Sequence, residues 1–475
     1  MTGDERLVDG VLLPGFTGDT VPDWLARAAD AGLAGVCVFA PNVGPEFPAL
    51  TRALHDRAAA FLVASDEEGG AVTRLEHATG SSWPGAAALG RLDDVAVTEA
   101  VAAAMGAQCR AAGVDLALAP VADVNAEPDN PVIGIRSFGA TPDLVARHTA
   151  AFVRGMQDAG TAAAAKHFPG HGSTTVDSHK ALPRIDDTLA TLRERDLPPF
   201  AAAVGAGVQA IMTAHLLLPA LDDRPATMSP AVLRLLREDL GFDGVIVSDA
   251  VDMRAIAGTV GTGPGAVAAV AAGVDLVCVG SPYNGYRDED GYREVRAALL
   301  AALADGTLTR DRLAEAGRRV AALAAWVRAA PGAGPVPPDL GRAVARRVAE
   351  PAGDVRTGRG AHVLDLTGPA NMAAGRVREP RLVAALRAAD PDVTTGPDVP
   401  PDRPLVIVAA GPSTELDTAR AARPDAVVVH VGLPARWRPA PPAVTTWGDG
   451  RVQAEAAAAL LAGDSGLQQS HPHAG

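Results

Sequence analysis

The sequence predicts an α/β fold, a (β/α)8 TIM-type barrel followed by a smaller α/β layered domain. Short apolar segments alternate with alanine-rich helical segments about eight times over about 300 residues, the count and length of such a barrel. Several helical segments end in glycine just before the next apolar segment, as at Gly160 and Gly241. Glycine accepts the left-handed backbone that ends a helix, so these positions mark the helix-to-strand turns.

The predicted elements follow one another in a regular order. The eight strands are 10–16, 35–40, 61–65, 116–119, 162–166, 210–214, 244–248 and 275–279. The helical patterns between and after them include 22–31, 95–112, 143–159, 230–240, 292–304 and the closing helix 312–328. A doubly wound open sheet is the structural alternative. No Gly-x-Gly-x-x-Gly turn follows the first strand, so nothing favours a dinucleotide-binding version of that alternative.

A second domain is predicted by the change of composition near residue 330. The stretch 330–339 is rich in proline and glycine and has no hydrophobic pattern, which is typical of a linker. It separates the predicted barrel, 1–329, from a predicted small α/β domain, 340–465. We expect strands at 362–365, 405–410 and 426–431, helices at 340–349 and 454–462, and a disordered tail at 466–475.

Composition limits the classes of partner. The net charge of −14 and the pI near 5.2 argue against a nucleic-acid or anionic-membrane partner. The three cysteines Cys37, Cys109 and Cys278 lie far apart in apolar contexts, which predicts buried thiols and not a disulfide framework. No hydrophobic signal region and no apolar run of about 20 residues is seen, so we expect a soluble, cytoplasmic protein.

Chemistry-bearing residues follow five of the predicted strands. In strand order they are Asp66 and Glu67, Asp123, Lys166 and His167, His215, and Asp249. The carboxyl ends of the strands carry the active site in (β/α)8 barrels, so this pattern predicts a catalytic face. Asp249 is the first charge after a buried strand, where a carboxylate can attack an electrophilic carbon or stabilise a cation. The alternatives for Asp249 are capping of the next helix or pairing with Lys166.

The stretch 165–183 has the greatest density of functional groups, with three histidines, two lysines and an aspartate. Its glycines and proline predict an irregular loop. Asp177 and His179 are two residues apart in an extended segment, so their side chains point to the same side. A carboxylate beside an imidazole suits a general acid near neutral pH. The alternatives are a salt bridge that only orders the loop, or a metal site.

A zinc site is the sharper of those alternatives, because four side chains of the loop could be ligands: His167, His171, Asp177 and His179. This set lacks a helical His-x-x-x-His spacing, and the two neighbouring lysines would repel a cation. We therefore expect no metal and no organic cofactor.

A set of charged hydrogen-bonding residues completes the predicted site: Asp66, Arg74, Arg136, Lys166 and His167. A carboxylate accepts hydrogen bonds from vicinal hydroxyls, and arginine and lysine donate in return. Such a set suits a small, hydroxyl-rich ligand. For Arg74 and Arg136 the alternative is a solvated or salt-bridged surface arginine.

These residues resemble those of the family 3 glycoside hydrolases, in the two-domain form of the branch that contains bacterial β-N-acetylglucosaminidases, also called β-N-acetylhexosaminidases. The stretches that carry the resemblance are 66–70, 132–139, 166–183, 212–215 and 248–249. The resemblance implies a retaining mechanism through a covalent glycosyl–enzyme on Asp249, with His179 as acid/base and Asp177 as its partner. It also implies that Asp66, Arg74, Arg136, Lys166 and His167 hold the terminal sugar.

Three departures from the family pattern stand out. Ala250 replaces a second acid often found after the nucleophile, Glu67 replaces a more usual glutamine, and the second domain is short and alanine-rich. We expect exo-acting hydrolysis of terminal β-linked N-acetylglucosamine from a small saccharide, either a muropeptide in cell-wall recycling or a chitin-derived oligomer.

Three alternatives remain. Phosphate can replace water as acceptor, because a neutral imidazole base does not repel an anion. The chain can be a sugar-binding protein that has lost catalysis, or a zinc hydrolase on the same barrel. The sequence leaves the oligomeric state open.

Overall fold

The computed structural model describes residues 2–284, 288–332, 334, 336–368 and 380–463. The predicted disordered tail, 466–475, lies outside these residues. The chain forms two compact units. The first comprises residues up to Glu67, Val95–Pro131 and Ala140–Val336, and the second comprises Glu68–Asp94, Val132–Gly139 and the described residues from Pro337 onward. Two segments within the predicted barrel, 68–94 and 132–139, are thus grouped with the second unit.

The first unit contains all eight predicted strands. They are β1 Leu12–Pro14, β2 Gly35–Val38, β3 Leu62–Ser65, β4 Leu116–Ala117, β5 Ala162–Phe168, β6 Ala210–Thr213, β7 Val245–Val247 and β8 Val277–Gly280. Strands β2 to β7 form a parallel sheet in chain order, and β1 pairs with β8 in parallel. A parallel bridge between Val247 and Leu276 joins β7 to the start of β8, and Ala34 N donates to Asp9 O beside β1 and β2. The predicted barrel is confirmed.

Helices cover the outside of these strands. They are α1 Gly3–Asp9, α2 Asp23–Ala31, α3 Phe47–His55, α5 Val95–Ala112, α6 Pro142–Asp158, α7 Leu189–Thr191, α8 Leu197–Gly205, α9 Pro230–Arg234, α10 Arg254–Ala257, α11 Thr262–Ala272, α12 Asp288–Ala304 and α13 Arg310–Ala329, with α4 Ala86–Leu92 in the second unit. Two π-helical turns, Leu192–Asp196 and Leu235–Asp239, extend α7 and α9. No helix among the described residues is both long enough and apolar enough to cross a bilayer.

The barrel interior is filled by side chains from alternate positions of the strands. Leu13, Leu62, Leu116 and Met212 are buried there together with small alanines of β5. Small residues in one strand leave room for larger ones in the neighbouring strands. Cys37, Cys109 and Cys278 are free and buried, as predicted.

The second unit is an α/β layered domain, as predicted. Its strands are β9 Glu350–Ala352, β10 His362–Asp365, β11 Thr394–Thr395, β12 Leu405–Ala409, β13 Val427–His430 and β14 Ala443–Thr445, in the order β11-β10-β12-β13-β14-β9. Among the described strands of this sheet, β9 is the one that is antiparallel to its neighbour. Its later helices are α14 Leu340–Val348, α15 Arg381–Ala389, α16 Thr414–Ala422 and α17 Arg451–Leu461. Separate apolar clusters, one around Val363 and one around Ile407, are buried in this unit.

Helix α4 explains why a loop of the barrel belongs to the second unit. It packs against α14, and a Cβ at Gly341 of α14 would lie 1.9 Å from the Ser82 carbonyl oxygen just before α4. Arg91 of α4 also pairs with Glu350 of β9 at 2.6 Å. These contacts tie 68–94 to the second sheet, although the segment follows β3 in the chain.

Candidate active site

Two strand ends of the barrel are joined by an ion pair. Lys166, near the end of β5, donates from Nζ to Asp66 Oδ1 at 2.7 Å, and Asp66 directly follows β3. The Lys166 side chain is only 2% exposed, whereas that of Asp66 is 19% exposed. The pair therefore presents the carboxylate to the open side and keeps the ammonium group below it. Two of the residues predicted to bind substrate are thus in direct contact.

The sequence places Asp123 at the end of a strand but does not predict it to be a site residue. Its buried carboxylate pairs through Oδ2 with His167 Nδ1 at 2.8 Å. Through Oδ1 it accepts the backbone N–H of His167 at 3.2 Å and that of His171 at 2.7 Å. Burial acts to raise the pKa of Asp123, but the His167 imidazole and these hydrogen bonds bring that pKa below its ordinary value. Asp123 thus fixes the orientation of His167.

The predicted aspartate–histidine pair is formed. Asp177 Oδ1 contacts His179 Nδ1 at 2.9 Å and also accepts the His179 backbone N–H at 2.9 Å. Burial acts to raise the pKa of Asp177, and its bonds to His179 more than offset this and lower the pKa. Because Nδ1 faces the carboxylate, Nε2 is the ring nitrogen left to exchange a proton with a ligand. The two side chains are 13% and 20% exposed, so a ligand can reach them.

Asp249 lies two residues after the end of β7 and is partly exposed. Its Oδ1 accepts the Ala250 backbone N–H at 2.8 Å. Burial acts to raise the pKa of Asp249, but the imidazoles of His215, His167 and His179 lower it below the ordinary value. The carboxylate is therefore ionised near neutral pH, and three imidazoles lie within electrostatic reach of it. Two of these imidazoles, His167 and His179, belong to residues predicted from separate parts of the chain.

His215 stabilises the backbone that follows β7, where Asp249 lies. It is fully buried, and its ring bridges the Ala250 carbonyl oxygen at 2.8 Å and Thr227 Oγ1 at 2.9 Å. Burial lowers the pKa of His215, so the ring is neutral. Its role is to hold the backbone next to Asp249 at the end of β7.

Arg74 and Arg136 belong to the second unit, and both are buried. Arg136 donates from Nε and Nη2 to the two carboxylate oxygens of Glu68, both at 2.8 Å. This bidentate pair fixes the guanidinium group in one plane. Neither arginine is a surface residue, although Arg136 is salt-bridged as the alternative expected. The assignment of both residues to substrate binding stays a prediction.

The neighbouring Glu67, one of the departures from the family pattern, is also buried and accepts a hydrogen bond from Ser65 Oγ at 3.4 Å. Within the described ranges, no group of three or more His, Cys, Asp or Glu side chains is arranged to hold a metal ion. The described residues therefore provide no ligand set for a zinc ion.

Residues 46–323, more than half of the chain, match the glycosyl hydrolase family 3 N-terminal domain. The chain is 35% identical over 317 residues to β-hexosaminidase A of Pseudoalteromonas piscicida, a match that covers 61% of this chain and 53% of that protein. It is 36% identical over 304 residues to a β-hexosaminidase of Stenotrophomonas maltophilia, covering 61% of this chain and 89% of that protein.

A solved structure resembles the chain over almost its whole length. It is a glycoside hydrolase family 3 β-N-acetylglucosaminidase from Paenibacillus sp. str. FPU-7, with a TM-score of 0.80 and 29% identity, covering 98% of this chain and 97% of that one. The match to the Pseudoalteromonas enzyme spans only about half of that enzyme's length. The family predicted from the sequence is confirmed: the chain belongs to glycosyl hydrolase family 3.

Proposed function

We propose that the protein is a retaining, exo-acting β-N-acetylglucosaminidase. The observation that carries this proposal is that the His179 imidazole, itself bonded to Asp177, acts electrostatically on the Asp249 carboxylate. An ionised carboxylate and a proton donor that meet at one face of a barrel are the two groups that cleavage of a glycosidic bond requires. The names of the relatives and of the solved structure, β-hexosaminidase and β-N-acetylglucosaminidase, support this activity.

The reaction proceeds in two balanced steps. In the first, an Asp249 oxygen attacks the anomeric carbon while His179 Nε2 gives its proton to the departing glycosidic oxygen. The C–O bond to the leaving group breaks as the bond to Asp249 forms. In the second step, His179 takes a proton from water, and that water displaces Asp249 from the anomeric carbon. The sugar is released with its original anomeric configuration, because two inversions have occurred.

The residues beside Asp249 suit a terminal sugar. The Asp66 carboxylate, paired with Lys166, accepts hydrogen bonds from vicinal hydroxyls, and His167, oriented by Asp123, supplies a further polar contact. We assign the same task to Arg74 and Arg136 from the family resemblance. The substrate that fits this set is a small saccharide with a terminal β-linked N-acetylglucosamine, derived from a muropeptide or from chitin.

The test is turnover of an aryl N-acetyl-β-glucosaminide, with proton NMR of the first-formed sugar. Release of β-N-acetylglucosamine supports the proposal, and release of the α-anomer or absence of turnover refutes it. A 5-fluoro N-acetyl sugar should label one peptide, and that peptide should contain Asp249. The His55→Gln variant is the control, and it should keep full turnover. His55 pairs with Asp115 at the amino ends of the strands, away from the catalytic face.

A second candidate is the same first step completed by phosphate. It is favoured by the imidazole of His179, since a neutral base does not repel an anionic acceptor as a carboxylate does. Adding phosphate to the assay and analysing for N-acetylglucosamine 1-phosphate distinguishes the two candidates. Sugar 1-phosphate as the main product identifies a phosphorylase, and free sugar at an unchanged rate identifies a hydrolase.

A further inference from the structure

The segment 171–183, which carries the Asp177–His179 pair, contains only turns and bends. A general acid must be held within about 0.5 Å of its productive position, so something other than helix or strand hydrogen bonds has to hold this pair. The side chains of the segment supply that support. Its first residue, His171, and its central residue, Ser178, are both buried, although Asp177 and His179 beside Ser178 are partly exposed.

The backbone of His171 is fixed to the loop that follows β4. Its N–H donates to the buried Asp123 carboxylate at 2.7 Å, and its carbonyl oxygen accepts Asn130 Nδ2 at 2.8 Å. The next residue, Gly172, lies so close to this loop that a Cβ there would be 1.8 Å from the Val124 carbonyl oxygen. His171 is therefore a rigid point at the beginning of an irregular segment.

The side chain of His171 connects this rigid point to the catalytic pair. Its Nε2 lies 3.1 Å from Ser178 Oγ, and Ser178 stands between Asp177 and His179 in the chain. The two side chains are 1% and 2% exposed. A buried hydrogen bond at this place limits the positions that the flanking residues can take.

The protonation of His171 can be assigned. Burial lowers the pKa of His171 to about 4, so the ring is neutral near pH 7. Nδ1 is buried and has no hydrogen-bond partner among the other residues that the structure describes. A buried N–H without an acceptor is less tolerable than a buried lone pair without a donor, so the proton belongs on Nε2. The Nε2–H group then donates to Ser178 Oγ.

We propose that His171 is a positioning residue for the general acid of this enzyme. Its Nε2–H···Oγ bond to Ser178 holds the Asp177–His179 pair against the barrel, so that Nε2 of His179 faces the glycosidic oxygen. The inference rests on the proposed function and adds to it a residue that does not touch the substrate. His171 acts on the reaction only through Ser178.

The test compares two substitutions of similar size. His171→Gln keeps an N–H donor near the Nε2 position, and His171→Met removes it. Turnover is measured on two N-acetyl-β-glucosaminides, one with a 2,4-dinitrophenyl leaving group, which departs without a proton, and one with a phenyl leaving group, which needs it. Loss of one hydrogen bond predicts about a tenfold fall in kcat/KM, which reports the first step, for the Met variant on the phenyl substrate only. We expect the Gln variant to stay within about threefold of the wild type on both substrates.

Several results would overturn the inference. The Met variant could lose the same factor on both substrates, which would indicate a general structural defect, or it could lose nothing. A Gln variant as poor as the Met variant would rule out the donor role of Nε2. If circular dichroism shows that the Met variant does not fold, Ser178→Ala is tested in its place. This substitution removes the other partner of the same hydrogen bond, and the same criteria apply to it.

The failure of the proposed function is recognised separately. Wild-type protein that turns over neither substrate refutes the β-N-acetylglucosaminidase activity itself. An active wild type with an unchanged leaving-group dependence in the His171→Met variant refutes only the role of His171.

Discussion

The two members of the proposed catalytic pair are held in different ways. Asp249 follows a buried strand of the barrel, and its carboxylate is bonded to the next backbone N–H. His179 lies in a segment of turns and bends, and it is held by Asp177 and, through Ser178, by His171. Backbone hydrogen bonds of the sheet position the first group, whereas a few side-chain hydrogen bonds position the second.

The difference in support matches the different chemical tasks of Asp249 and His179. A nucleophile must approach one carbon atom along one line, so a strand end of a packed barrel suits it. A proton donor and acceptor must serve a departing oxygen and then an incoming one, and a less rigid support tolerates that change. The comparison predicts that damage at the strand end will be severe and independent of the substrate, and that damage in the segment will depend on the leaving group.

The largest effect is expected for Asp249→Asn. Removal of the ionised carboxylate eliminates the attacking group, so kcat should fall at least about a thousandfold, or about 4 kcal/mol of barrier, on both aryl substrates. Steady-state kinetics and intact-mass analysis after a fluorinated sugar is added measure this. An Asp249→Asn variant that is still labelled, or that retains more than about a tenth of the activity, contradicts the assignment of the nucleophile.

His179→Ala should have the next largest effect. We expect a fall in kcat of about a hundredfold on the phenyl substrate and a much smaller one in the glycosylation step on the dinitrophenyl substrate. A pre-steady-state burst with the dinitrophenyl substrate reports that first step directly. Equal losses in both first steps would place His179 outside proton transfer.

Asp177→Asn should lower kcat on the phenyl substrate about tenfold. The amide can keep a contact to His179 Nδ1, but it carries no charge to stabilise the imidazolium, and it can favour the wrong tautomer. If His179→Ala is combined with Asp177→Asn, no further loss is expected, since Asp177 acts through His179 alone. A clear additional loss in the double variant would show that Asp177 has a separate task.

The smallest effect on turnover is expected for His430, a buried histidine outside the barrel that serves as a control for His171. His430 of β13 is fully buried, and it packs edge-on against Trp437. Burial lowers the pKa of His430 to about 4, below the ordinary value of 6.5. Between these two pH values the unfolded chain binds a proton that the folded chain does not, so stability is complete above pH 6.5 and is lost as the pH falls toward 4.

His430→Leu should therefore reduce the pH dependence of unfolding by at most about 1.4 kcal/mol per pH unit in that interval, and it should leave turnover unchanged. Urea unfolding at several pH values, with His55→Gln as the partly exposed control, measures this. A His430→Leu variant with an unchanged pH dependence would show that His430 is not a source of the acid sensitivity.

Much of this protein could be predicted from local sequence. All eight barrel strands and the main helices were predicted, because apolar periodicity and glycine at helix ends are properties of adjacent residues. The Asp177–His179 contact was predicted for the same reason, since the two residues are close in the chain. The strands β9, β11 and β14 were not predicted, because none of them lies in an apolar run of four or more residues and β9 contains a proline.

Only the tertiary structure revealed the partners that lie far apart in the chain. Asp123 pairs with His167, 44 residues away, and Arg136 pairs with Glu68, 68 residues away. Only the tertiary structure likewise revealed that residues 68–94 and 132–139 belong to the second unit. The sequence by itself determined the elements and the residues at their ends, because these follow from local periodicity and backbone preference. Packing determined which of those residues meet, because hydrogen bonds between distant segments depend on how the whole chain closes on itself.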